Sequence, residues 1–354
     1  MQRDQVDLTP EDDGPVAPDA AGQTPVVAPV VVPPVIAPPA QGAPPVLGDR
    51  HDVVRPPRFL PPRVWTVFVA VAVMIPAQLL LAFVAGVVFV LRQMAAGAPL
   101  DPITMVERLT ATTDGLAVMI IAAETPLLVG SVLAGVLSPQ PIARRLGLQR
   151  SRLAWYVWPV PMLGMLATMA IGVSLVEGLM ALLNLDREEM LGPFRAMLSG
   201  QWAAILLLMA VVPAVCEELF FRGYLQRRLL ERWHPAAAIA ITSGLFAAIH
   251  LHPVQVMAVF LSGAWMSIVA WRTGSIWLSV GCHMFLNASA IALSRSIDDF
   301  FSGIGLAVLL GCLVTGVLAM IASCLLFSRI EPGPRRVLPR RPVLMPADRP
   351  PLSG

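Results

Sequence analysis

Apolar residues gather into eight runs, at about 64–91, 115–137, 155–183, 202–224, 236–252, 254–271, 276–293 and 303–327, separated by short polar stretches. A helix needs roughly 20 apolar residues to cross a hydrocarbon core about 30 Å thick. The runs approach that length, and they predict an all-α fold: a polytopic membrane bundle of about eight transmembrane helices. The fifth, sixth and seventh are short and closely spaced, so their boundaries carry the weakest signal. Trp65, Trp155, Trp158, Trp202, Trp233, Trp271 and Trp277 fall near the expected ends, where an amphipathic ring favours the membrane interface.

Composition agrees with this pattern: 56% of the 354 residues are hydrophobic and 14% charged. Residues 1–49 differ, with eleven prolines, seven acids, one Arg and no aromatic residue. Such a stretch cannot bury enough surface to offset its ordering entropy. The expected organisation is a disordered proline-rich tail over 1–62, a transmembrane domain over 63–328, and a basic proline-rich tail over 329–354. The run Val26–Pro34 is broken by proline and follows acids, so it does not read as a signal peptide. Cys216, Cys282, Cys312 and Cys324 all lie in apolar runs without CxxC spacing, which suggests neither a disulfide framework nor a zinc knuckle.

Arginine placement predicts orientation. All 25 basic residues are Arg, a bias that with abundant Ala, Val, Pro and Gly suggests a GC-rich bacterial genome. Arg50, Arg55, Arg58 and Arg63 precede the first run; Arg144, Arg145, Arg150 and Arg152 follow the second; Arg222, Arg227, Arg228 and Arg232 close the fourth. A further cluster from Arg329 to Arg349 follows the eighth, whereas the intervening loops are sparse. The positive-inside rule then places both termini in the cytoplasm of a bacterial cytoplasmic membrane. The net charge of +2, with Arg in short clusters, argues against a nucleic-acid partner and leaves the lipid bilayer as the expected surroundings.

Ionisable side chains at membrane depth cost about 2.5–3.5 kcal/mol even on a lenient scale, so each needs a reason. The fourth run ends Glu217-Glu218-Leu219-Phe220-Phe221-Arg222. Glu218 and Arg222 stand in the favourable i, i+4 order and predict an ion pair. Glu217, about 100° round the helix, is left among apolar neighbours as a candidate general base. In the fifth run Phe246 and His250 share a face, and in the seventh His283 and Asn287 do. His283 and Asn287 can aim two hydrogen-bond donors at one point, as an oxyanion requires. Read one motif at a time, each also fits a structural role: a solvated helix end, a satisfied core histidine, interhelical glue.

Taken together, Glu217-Glu218-xxx-Arg222, Phe246-xxx-His250 and His283-xxx-Asn287 resemble the CPBP family of intramembrane proteases. That family includes the type II CaaX prenyl endopeptidases and the bacterial Abi-type proteins. The resemblance covers about 155–293. It implies an endopeptidase in which Glu217 and His250 activate water while His283 and Asn287 stabilise the oxyanion, with Glu218, Arg222 and Phe246 in support. The implied partner is a membrane-associated or lipidated protein or peptide substrate.

No cofactor is favoured. Zinc is the alternative, with Glu217, His250 and His283 as its ligands, although no HExxH motif is present. Two other functions compete with the protease: a proton-coupled transporter, suggested by Glu124 and Glu177 within further runs, and a non-catalytic membrane scaffold. Helix rise alone puts His250 about 10 Å too deep to share water with Glu217. The roles that the resemblance implies therefore require the fifth run to enter the membrane later, near Ile239 or Ile241, and a hydrated cavity open to the Arg-rich side in which Glu217 and His250 share one water.

Overall fold

The computed structural model describes residues 64–98, 101–138, 140–186, 192, 195–198, 200–250, 253–296 and 303–330. The tail expected over 1–62 lies outside these residues, as does the C-terminal tail beyond Ile330 and the turn residue His252. Among the described residues there is no strand. The chain is an all-α polytopic membrane protein, and its described residues contain seven helices long and apolar enough to cross a bilayer.

These helices are α1 (Thr66–Ala95), α3 (Thr113–Val136), α5 (Trp155–Leu183), α6 (Trp202–Leu230), α8 (Pro253–Thr273), α9 (Trp277–Ser296) and α10 (Gly303–Ser328). Two small helices, α2 (Pro102–Ala111) and α4 (Ile142–Arg145), lie in connections. Asp101 starts α2 by accepting from the backbone N–H of Thr104 at 2.9 Å, which satisfies one orphan donor of the first turn. The remaining helix, α7 (Pro235–Ala248), is where the expected count of eight differs. Its 14 residues extend only about 21 Å, short of the hydrocarbon thickness. It ends at Ala248 rather than at the expected 252, so His250 sits in the turn that follows.

At the centre stands α6. In its apolar stretch 56% of residues are buried within the protein, against 11% for α1. Phe220, Phe221, Leu225 and Leu229 from α6 form one core with Val67 and Val71 of α1, Leu127 of α3, Phe246 of α7, Met266 of α8 and Leu278 of α9. The periphery is apolar on its outer side, where Leu80 and Phe83 of α1 and Leu318 and Leu325 of α10 are exposed. That face is what lipid wets. Small residues bring backbones together: a Cβ on Gly316 of α10 would stand 2.1 Å from the Ala167 nitrogen of α5, the close approach that packs helices in a bilayer.

Two stretches of α6, Leu206–Val211 and Leu219–Gln226, take the wider π-helical turn. Pro213 between them has no N–H to offer the carbonyl of Met209, four residues back. Both stretches flank Glu217 and Glu218. The Arg-rich end of the bundle is closed by the chain between α4 and α5. There the Gly147 carbonyl accepts from the Ile276 N–H at 3.0 Å, the Gln149 carbonyl from Ser275 Oγ at 2.6 Å, and the Leu148 carbonyl from Trp277 Nε1 at 3.0 Å.

Candidate active site

Glu218 and Arg222 lie on one face of α6 with both side chains withdrawn from solvent. Arg222 Nη1 donates to Glu218 Oε1 at 2.5 Å. Arg222 Nη2 donates to the Gly263 carbonyl of α8 at 2.9 Å, and its Nε reaches Ser267 Oγ at 3.4 Å. The guanidinium carbon stands 4.4 Å from the centre of the Phe246 ring, so cation, carboxylate and aromatic face stack in one column. A Cβ on Gly263 would meet that ring at 2.9 Å; glycine there leaves room for ring and guanidinium together. A buried charge must be both paired and hydrogen-bonded, and Arg222 is.

Glu218 holds more than Arg222. Ser279 Oγ of α9 donates to Glu218 Oε2, and His283 Nδ1, one turn further along α9, lies 3.2 Å from Glu218 Oε1. An ionised carboxylate only accepts, so the Nδ1–H of His283 faces Glu218 and Nε2 is left for another partner. Nε2 looks toward Glu217 Oε2 at 3.7 Å. The two acids diverge by about 100° around α6, yet the imidazole reaches both, because it enters from α9 between them. Glu217 is 7% exposed, His283 4%.

His250 is positioned by the end of α7. Its own backbone N–H turns back to Ala247 at 3.2 Å, which frees the Phe246 carbonyl, and the ring Nδ1 lies 3.0 Å from that oxygen. A carbonyl can only accept, so Nδ1 carries the proton and Nε2 keeps its lone pair. The Phe246 ring is edge-on to both imidazoles, 5.2 Å from His250 and 5.8 Å from His283. No hydrogen bond or ion pair among the described residues joins Glu217 to His250. The histidine in ion-pair reach of Glu217 is His283.

Asn287 continues the α9 face one turn beyond His283, and its Nδ2 donates to the Met209 carbonyl at 3.1 Å. The amide has a second N–H. His250, His283 and Asn287 all line one cavity of about 300 Å³ between α5, α8 and α9, whose other walls include Gly172, Val173, Ala258, Ser262, Leu286 and Ala290. It runs toward the helix ends that carry Glu177, Arg195, Gln255 and Ser294. The expected opening lay at the other, Arg-rich end. The Glu218–Arg222 column and the α4–α5 connection occupy that end instead.

Among the described residues no three His, Cys, Asp or Glu side chains are placed to hold one ion. The Phe246 ring separates the two histidines, and one nitrogen of each already faces an oxygen. Cys216 and Cys282 are buried and do not line the cavity.

One contributor, Ser279, is not among the sequence candidates. Ser279 stands four residues before His283, so Ser279, His283 and Asn287 share one helical stripe, a spacing that was available as a signal. Glu124, which suggested proton-coupled transport, interacts with Glu217, and Oε2 of each is buried without a hydrogen-bond partner.

Residues 199–289 match the family model described as Rce1-like: type II CAAX prenyl endopeptidase Rce1-like. The match spans α6 to α9 and contains Glu217, Glu218, Arg222, Phe246, His250, His283 and Asn287, while Glu124 lies outside it. No curated protein matches the chain, and no solved structure does.

Proposed function

With residues 199–289 assigned to the Rce1-like type II CAAX prenyl endopeptidases, we propose that this integral membrane protein hydrolyses a peptide bond of a membrane-associated or lipidated protein. The reading rests on one observation: the His283 ring stands between two carboxylates and lines the same cavity as His250 and Asn287. Glu217 is the base. It takes a proton from water while the resulting hydroxide adds to the substrate carbonyl, with the His250 Nε2 lone pair orienting that water from the opposite side.

The proton on Glu217 crosses the 3.7 Å gap to His283 Nε2. His283, now carrying both ring protons, and the second N–H of Asn287 donate to the tetrahedral oxyanion. On collapse the carbon–nitrogen bond breaks and the departing amine takes the proton from His283. Glu218 fixes the His283 tautomer through Nδ1, as a buried acid does for a catalytic imidazole, and Arg222 keeps Glu218 ionised and in place. Glu124, which had pointed to proton-coupled transport, belongs to this same cluster rather than to a separate proton path. The assigned chemistry needs no Lewis acid, and the membrane is proposed to be a bacterial cytoplasmic membrane with both termini inside. In that arrangement α7 and the turn after it carry the chain across, although α7 alone is shorter than the other spans.

The test compares membranes of cells expressing the wild-type chain with those expressing Glu217→Gln, reading membrane-protein terminal peptides by mass spectrometry. Cleavage products appear with the wild type alone, and purified protein keeps its turnover after prolonged chelation. Equal product with Glu217→Gln removes Glu217 as the base. One tightly held zinc per chain whose removal stops turnover replaces the glutamate mechanism.

A further inference from the structure

Glu124 lies in the middle of α3, outside the matched segment, and is 6% exposed. Pro126 interrupts the helical ladder two residues later, and Gln78 of α1 ties the same turn by donating to the Ala123 carbonyl at 2.9 Å. α3 packs on the Val212–Glu218 stretch of α6, and the Glu124 carboxyl interacts with that of Glu217 across this contact. Glu124 Oε2 and Glu217 Oε2 are both buried, and neither has a hydrogen-bond donor. The other groups facing Glu124 are Cys216 of α6 and His283 of α9, with only the amide of Gln78 contributed nearby from α1. Arg222, the cation of the site, is taken by Glu218.

Two ionised carboxylates cannot donate to each other, and at this spacing in a low-dielectric site they repel. A single proton between them supplies the missing donor and removes the repulsion. We propose that Glu124 is the proton-sharing partner of Glu217, a positioning residue that donates a hydrogen bond to it and leaves it ionised and turned toward His283. The inference rests on Glu217 being the base. Glu124 touches neither the cavity nor the substrate and acts only through Glu217. Protonation of both acids silences the base; loss of the shared proton removes the hydrogen bond and restores the repulsion.

The experiment measures the pH dependence of kcat and KM for the purified full chain with a cleavable membrane peptide, for wild type, Glu124→Gln, Glu124→Leu and Glu217→Gln. Glu124→Gln keeps an N–H donor that cannot titrate, so it retains the acid limb of kcat/KM while the alkaline limb moves to higher pH. Glu124→Leu lacks the donor and loses roughly tenfold or more in kcat, as removal of an orienting partner does, at unchanged KM. Wild-type profiles in both variants overturn the proposal. Equal loss of kcat and KM in both, together with lowered thermal stability, overturns it in favour of a packing role. Wild-type turnover in Glu217→Gln instead sinks the base assignment, whatever Glu124 does.

A substrate-free measurement covers the case in which the Glu124 variants fail to fold. Infrared spectra of the wild-type protein at neutral pH contain a protonated-carboxyl stretch that shifts in Glu217→Gln. Absence of that band, or a band that Glu217→Gln leaves unmoved, refutes the shared proton.

Discussion

Glu217 and Glu218 are adjacent in the chain, yet the bundle gives them different surroundings. Glu218 accepts from Arg222, Ser279 and His283, while Glu217 Oε2 has no hydrogen-bond donor. Removing one partner of a buried pair leaves an uncompensated charge and costs about 3–5 kcal/mol. Glu218→Gln therefore lowers the thermal unfolding temperature in detergent, because Arg222 loses its counter-charge, and it lowers turnover as well, because His283 loses the acceptor that fixes its tautomer. Glu217→Gln stops turnover while the melting temperature stays close to that of the wild type. Equal melting temperatures in the two variants would contradict the division of roles derived from these contacts.

At the scale of the helix, α6 and α9 are joined where Asn287 donates to the Met209 carbonyl, in the π-helical stretch that precedes Pro213. Asn287→Ala removes that donor from a partly buried carbonyl, a loss of about 1–3 kcal/mol, and turnover falls about 10²–10³-fold if the second N–H serves the oxyanion. Thermal unfolding and turnover measured on the same variant separate the two effects. Lowered stability with unchanged turnover would reduce Asn287 to a structural clasp. The shortness of α7 has a similar local cause. The backbone N–H of His250 turns to Ala247 and Pro253 follows, so the helix stops with a carbonyl free for the His250 ring.

For the whole molecule, the alternation of Arg-rich and Arg-poor connections makes an orientation testable. Reporter fusions after Gly200 and after Trp233 are expected to lie on opposite sides of the membrane, outside and inside respectively; reports from the same side would mean that α6 does not cross. The order and approximate limits of the seven long helices among the described residues were legible in the amino-acid sequence, because insertion in lipid depends on local apolar length, which a one-dimensional pattern carries directly. The ion pair of Glu218 with Arg222 was legible for the same kind of reason, since partners at i and i+4 are set by one helix alone. The end of α7 was not: a His-Leu-His-Pro stretch among apolar residues reads as continuing helix until the side chain that caps it is seen. Four things depended on contacts between helices distant in sequence: the seat of His283 between two acids, the pairing of Glu124 with Glu217, the bond from Asn287 to Met209, and the side toward which the cavity runs. No residue spacing encodes them. They arise because α3, α6, α8 and α9 pack in one rotational setting, and that setting is decided by residues such as Phe246, Gly263 and Gly316 meeting across the bundle.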